Sequence, residues 1–181
     1  ITAFHPGAMN YAHQNEVPRG DGIKLGIVSP DGRDGMIEHA EQFANAGIPF
    51  IFDPGQGLPM FQKDDLVRFI DQATWVTVND YEWKLLQDRT GYSEKDVMDR
   101  VEALIITRGA EGSVVHARPD LKVEIPAVEA REVNDPTGCG DAYRAGLLYG
   151  LLNDMDWDTT GRLAALMGAI KVEYHGTQNH R

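Results

Sequence analysis

Apolar positions along the chain change period several times, and each change marks a new element. Over residues 23–29, Ile23, Leu25, Ile27 and Val28 make an alternating, aliphatic-rich strand pattern that Pro30-Asp31-Gly32 ends. From 34 to 46 the apolar residues Ile37, Ala40, Phe43, Ala44 and Ala46 recur near helical spacing, and Gly47 supplies a stop. Residues 48–52 form a short apolar run of the kind found in a buried parallel strand, closing at Asp53-Pro54-Gly55. The alternation then repeats. A helix is predicted over 64–73, with Leu66, Val67, Phe69 and Ile70 on its apolar side, and a strand over 74–78. Asn79 precedes a helix over 80–88, and Ser93 and Asp96 take N-cap and N3 positions of another over 93–101. A strand over 103–107 turns through 108–112 into a hairpin strand over 112–117, with an edge strand over 121–125. Two helices, over 141–153 and 158–174, complete the chain. Residues 1–22 show no clear period and read as a short strand or turn followed by a loop.

Strands alternating with helices of this length predict an α/β fold, a doubly wound, Rossmann-like, mostly parallel sheet flanked by helices, with residues 1–181 as one domain. Ligands of such sheets bind beyond the carboxyl ends of the strands. No apolar run reaches the roughly 18–20 residues of a membrane span, and no signal-peptide pattern is visible. The single cysteine, Cys139, excludes an internal disulfide and fits a reducing compartment, with the cytoplasm as the expected location. A net charge of −11 argues against nucleic acid and anionic membrane as partners. It also means that a bound polyphosphate needs backbone amides, helix N-termini and Mg²⁺ to share its neutralisation.

The most informative stretch is Asn134-Asp135-Pro136-Thr137-Gly138-Cys139-Gly140-Asp141-Ala142-Tyr143-Arg144-Ala145-Gly146. Two glycines flank a small residue directly before a helix. The amides of Gly138, Cys139, Gly140 and Asp141 are thereby expected to converge on an anion, with the positive helix end behind them. Missing Cβ atoms at 138 and 140 let a phosphoryl group approach closely. Asp141, at the lip, is placed to accept a proton from an incoming hydroxyl. A tight turn with an acidic first-turn residue accounts for Gly-x-Gly-Asp by itself equally well.

The longer pattern of Asp135, Thr137, the two glycines, Asp141 and Gly146 resembles the second signature of the ribokinase-like (PfkB) kinases, whose usual form is Asp-Thr-Thr-Gly-Ala-Gly-Asp. Pro136 and Cys139 are the departures, and Cys139 adds a question of thiol sensitivity. The resemblance implies ATP-dependent transfer of the γ-phosphoryl group to a hydroxyl of a nucleoside or sugar, with Asp141 as base. Asn79-Asp80-Tyr81-Glu82 is similar to the family's Asn-x-x-Glu element, which implies that Asn79 and Glu82 act on Mg²⁺-bound phosphates, Glu82 indirectly. The same residues make a sound capping box. Thr107, Gly109 and Gly112 resemble the Thr-x-Gly-x-x-Gly segment of the nucleotide site, though they also suit a plain hairpin turn. Gly176-Thr177-Gln178 resembles the loop that closes over adenine, and by that analogy Asp135, the Thr137 backbone and the Gly176 region surround K⁺; an exposed tail is the alternative. Asp53-Pro54-Gly55-Gln56, Ser29-Pro30-Asp31 and the stretch from Phe4 to Met9 tilt the likeness toward the prokaryotic adenosine-kinase-like branch.

The likeness covers the later part of the family fold and implies a preceding segment carrying the N-terminal strands, a Gly-Gly signature and a substrate-covering β-lid. A homodimer is also among the expected partners. The competing functions are a sugar kinase of ribokinase or fructokinase type and a nucleotide-binding fragment or pseudo-kinase without turnover. A dinucleotide-dependent oxidoreductase is disfavoured, because no Gly-x-Gly-x-x-Gly follows a strand. The six histidines lack metal-ligand spacing, and the three tryptophans read as core or partly buried aromatics.

Overall fold

The computed structural model describes residues 5–18 and 22–179. Six strands form one mostly parallel sheet whose order is the chain order, β1 (Gly26–Val28), β2 (Phe50–Phe52), β3 (Trp75–Asn79), β4 (Ala103–Thr107), β5 (Ser113–Ala117) and β6 (Leu121–Ile125). The helices are α1 (Arg33–Ala46), α2 (Lys63–Gln72), α3 (Asp80–Thr90), α4 (Glu94–Met98), α5 (Cys139–Leu152) and α6 (Trp157–Val172). This is the α/β architecture that the alternating periods predict. The chain divides into two compact units, Ile1–Ile105 and Ile106–Arg181, each with its own packing.

In the first unit β2 lies between β1 and β3, parallel to both, with Ile51 opposite Ile27 and Trp75. A strand with neighbours on both edges and helices on its faces must be apolar throughout. Phe50, Ile51 and Phe52 are accordingly all buried. Phe52 stacks on Phe69 of α2 at 4.4 Å, and Phe61 meets Phe69 edge-on at 4.9 Å. Helix α1 stops at Gly47 in the left-handed conformation, as its sequence predicts. Helix α3 runs two residues past the predicted 88, because the Thr90 hydroxyl donates back to the Leu86 carbonyl and Gly91 closes the turn with φ 76°. Helix α4 keeps its Ser93–Asp96 capping box but ends at Met98, before the predicted 101.

Two short helices were not legible from periodicity. Gly7–Gln14, within the stretch read as a short strand or turn and a loop, and Gly55–Met60, which begins at the Asp53-Pro54-Gly55 stop, are 3-10 helices. Their turns repeat every three residues, so the 3.6-residue pattern is absent. Ala12 of the first packs on α1 where Gly35 leaves room: a Cβ at Gly35 would lie 2.7 Å from that of Ala12. The strand-like opening at Ile1 and the Phe4 end of the 4–9 element lie outside the described residues.

The second unit pairs β5 and β6 as an antiparallel hairpin, Ser113 opposite Ile125. Helices α5 and α6 pack closely through small residues. A Cβ on Gly146 would come within 2.5 Å of the Ala164 Cα, and one on Gly150 within 2.5 Å of the Thr160 hydroxyl. The Tyr143 hydroxyl, 2.7 Å from Ser113 Oγ in a buried bond, ties α5 to β5. The obstacle at Gly146 is main chain, which cannot rotate aside, so overpacking governs. Gly146→Ala is expected to lower stability by about 2 kcal/mol through this forced separation of the two helices. Urea unfolding midpoints of the two proteins test it, and an unchanged midpoint would show that the helices can part without cost.

Candidate functional site

Each recognisable element is described within its own unit, beginning with the turn before α5. Gly138 is the N-cap residue and adopts φ 84°, a left-handed conformation that glycine alone enters freely. The Thr177 side chain packs against it, 3.2 Å from where a Cβ would stand. The helix ladder begins with the Ala142 amide donating to the Gly138 carbonyl at 3.0 Å. Among the described residues, no acceptor takes the amides of Gly138, Gly140 and Asp141. The expectation for Cys139 is corrected: its amide donates to the Pro136 carbonyl at 3.1 Å and closes the turn instead of facing a ligand. The orphan donors of the first helical turn are therefore those of Gly140 and Asp141, with Gly138 ahead of them.

Asp141 projects from the lip with 84% of its side chain exposed. Arg144 lies one turn on, its Nη1 3.9 Å from Asp141 Oδ1, while its side chain is largely covered at 18% exposure. The guanidinium lies over Gly140, where a Cβ would come within 2.5 Å of Nη1. Glycine at 140 thus leaves room for an arginine that sequence reasoning passed over. The i, i+3 spacing from Asp141 on a helix was the available signal.

Upstream, the turn is fixed by Asp135. Its Oδ1 accepts the Thr137 amide and its Oδ2 the Gly176 amide, both at 2.9 Å. The Thr137 amide, the Thr137 hydroxyl and the Gly176 amide, in that order, hold the carboxyl at about 2, with the Lys171 charge assisting. The amides of Asn134 and Asp135 donate to the Val172 carbonyl at the end of α6, and Asn134 Nδ2 donates to the Glu173 carbonyl. Lys171, wholly buried, donates from Nζ to the Asp135 carbonyl at 2.7 Å and to the Tyr174 carbonyl at 3.1 Å. The structure therefore brings Asp135, Thr137, Gly138 and Gly176 together, as the family pattern implies. It adds Lys171, whose position seven residues after buried Ala164 placed it on the inner face of the helix.

Burial pushes the Cys139 thiol above its ordinary value; Asp135 adds to that rise, and the Lys171 charge opposes it. A thiol held protonated is a poorer nucleophile than a thiolate.

The segment Thr107 to Gly112 owes its glycines to the turn itself. Gly109 has φ 55°, and Gly112 has φ 84° with a Cβ position blocked by the Ile125 carbonyl and, at 2.8 Å, by the Ala127 amide nitrogen. Arg108 donates its amide to the Gly112 carbonyl at 2.7 Å and pairs with Glu124 of β6.

In the first unit, Asn79 and Glu82 cap α3 reciprocally. The Glu82 amide donates to Asn79 Oδ1 at 2.7 Å, and the Asn79 amide donates to Glu82 Oε2 at 2.8 Å. Glu82 is 9% exposed, so one carboxylate oxygen serves the helix start. At the carboxyl ends of β1 and β2, the Ser29 hydroxyl donates to Asp53 Oδ2 at 3.2 Å, and Gly55, with φ 45°, leaves room for Pro30. Among the described residues, no group of three or more His, Cys, Asp or Glu side chains could hold a metal ion, and no helix is long and apolar enough to cross a membrane.

Comparison with known proteins agrees with this layout. The model of the pfkB family carbohydrate kinases matches residues 7–181. The nucleoside kinase of Methanocaldococcus jannaschii is 37% identical over 129 residues, 71% of this chain and 42% of that protein. That of Methanothermobacter thermautotrophicus is 30% identical over 185 residues, 99% of this chain and 58% of that protein. The structure of Burkholderia thailandensis nucleoside kinase in complex with inosine has a TM-score of 0.96 at 56% identity, covering 99% of this chain and 59% of that one. The same enzyme is known in complex with ADP-inosine. The chain spans about half the length of the curated relatives it matches. By its turn, its sheet and its match over nearly the whole sequence, the chain belongs to the PfkB family of carbohydrate kinases.

Proposed function

We propose that the chain provides the phosphate-binding and catalytic part of an ATP-dependent nucleoside kinase, acting in the cytoplasm. The observation that carries this reading is the turn itself, where main-chain N–H groups without protein acceptors stand beside an exposed carboxylate at a helix N-terminus. Phosphoryl transfer asks the protein mainly to align the reactants and to stabilise spread negative charge. The amides of Gly140 and Asp141, the α5 dipole and the Arg144 guanidinium supply positive potential for the transferring group. Asp141, with no hydrogen-bond donor on its carboxylate among the described residues, accepts the proton of the attacking hydroxyl.

Mg²⁺ suits this donor set only as a companion of the nucleotide. With no cluster of metal-ligating side chains among the described residues, the phosphates themselves would be its principal ligands, and Glu82 would act through water. Bound in that way, it would offset charge on the β- and γ-phosphates. Thr107, Gly109 and Gly112 are assigned to the nucleotide on family resemblance, beyond the turn geometry that already explains the glycines. The nucleoside preference is supported by the relatives, which include nucleoside kinases and an inosine complex.

Asp141→Asn keeps the turn amides and loses the proton acceptor. Its kcat should fall by about 10²–10⁴-fold, while ADP affinity by calorimetry stays within a few-fold. A variant with near-normal turnover would remove Asp141 from the chemistry. The acceptor is tested separately, by coupled ADP release with inosine, adenosine, ribose and fructose as substrates. Turnover is expected with the nucleosides, and a preference for free ribose or fructose would make the protein a sugar kinase.

A further inference from the structure

The K⁺ that the family resemblance implies would coordinate oxygens around Asp135, Thr137 and Gly176. The oxygens of Asp135 already have partners. Asp135 Oδ1 and Oδ2 accept the amides of Thr137 and Gly176, and the Asp135 carbonyl accepts Lys171 Nζ at 2.7 Å. The neighbouring carbonyls at the end of α6 are engaged as well. Val172 takes the amides of Asn134 and Asp135, Glu173 takes Asn134 Nδ2, and Tyr174 takes Lys171 Nζ at 3.1 Å.

A carbonyl oxygen has two lone pairs, so occupancy alone does not exclude a metal ion. Charge decides the matter. Asp135 is the carboxylate bonded to the Thr137 and Gly176 amides, and Lys171 is buried beside it with no exposed surface, while the carboxylates of Glu132 and Glu173 stand at the exposed rim, on Asn134 Nδ2 and the Arg131 amide. The buried ammonium and the Asp135 carboxylate offset one another away from that rim. A second cation among the same oxygens would have as added compensation only rim carboxylates in exposed, water-screened bonds, and would sit beside a buried ammonium that cannot withdraw into water. Lys171 also occupies the last turn of α6, where the helix dipole favours positive charge, so its position is stabilised from two sides.

We propose that the Lys171 ammonium is the built-in cation of the segment 134–138, and that the protein works without the monovalent ion its family resemblance implies. The side chain does what a coordinated ion would do: it draws the Asp135 carbonyl and the α6 terminus onto one positive centre and so fixes the approach to the phosphate turn.

Two measurements on the wild-type protein test this, one of them independent of the kinase reading. Thermal melting with ADP present, in K⁺ against the bulky tetramethylammonium ion at equal ionic strength, should give the same midpoint. Phosphotransfer rates in the same two salts should agree within about twofold, where a lost charged hydrogen bond would cost about tenfold. A K⁺-specific rise in either would overturn the proposal. If no nucleoside is phosphorylated, the kinase reading fails while the melting comparison still judges the cation. Lys171→Met vacates the position. Its melting point should fall in tetramethylammonium and recover partly in K⁺, as the ion enters among the freed carbonyls. An equal loss in both salts would make Lys171 a structural tether only, and the proposal would fall; should the variant not fold in either salt, the wild-type melting comparison decides.

Discussion

The phosphate turn depends on a clamp made at its upstream end, where the buried Lys171 ammonium and the Asp135 carboxylate join the end of α6 to residues 134–137. Without it the turn has little to hold it. Gly138 and Gly140 contribute no side chains, and orphan amides by definition make no protein bond. A loop of this composition gains almost nothing from hydrophobic burial, so its order must come from polar bonds at its margins. Asp135 supplies two acceptors and Lys171 two of the donated bonds; those of Lys171 and the Gly176 amide are shielded in part from water, where such bonds are strongest, and that of the Thr137 amide is exposed. The close packing of α5 on α6 through Gly146 and Gly150 then carries that fixed end to the helix that the turn opens.

Much of this was written in the sequence, for identifiable reasons. The β/α alternation was legible because β2 is apolar on both faces and α1 and α3 end in glycines that adopt the left-handed conformation. The cap residues Asn79 and Ser93 were legible because their partners, Glu82 and Asp96, lie three positions away. The turn was legible from its glycines and Asp141. What escaped was of two kinds. The 3-10 helices at Gly7–Gln14 and Gly55–Met60 lack the helical period. Lys171 and Arg144 take their meaning from residues distant in sequence or from a glycine beside them, and a lysine in a helix is by default read as solvated. The Cys139 amide was misassigned because a glycine-flanked residue at a helix start can either face a ligand or close its own turn, and only coordinates distinguish the two.

Two aspartates six positions apart show how environment divides labour between identical groups. Asp135 has both oxygens committed to main-chain amides that stabilise its charged form, which is why its carboxyl is held at about 2. A group so satisfied is an anchor: taking up a proton would break the bonds that position the turn. Asp141 is its opposite, with its side chain in the open and only a distant guanidinium beside it at 3.9 Å. Its carboxylate is open to water, and a new partner could replace that water without costing a hydrogen bond of the turn. The same argument separates the cations. Lys171 is spent on the fold, while Arg144 lies over Gly140 at the start of α5. In a chain of net charge −11, the start of α5 still gathers positive potential from its helix end, its amides and the neighbouring arginine.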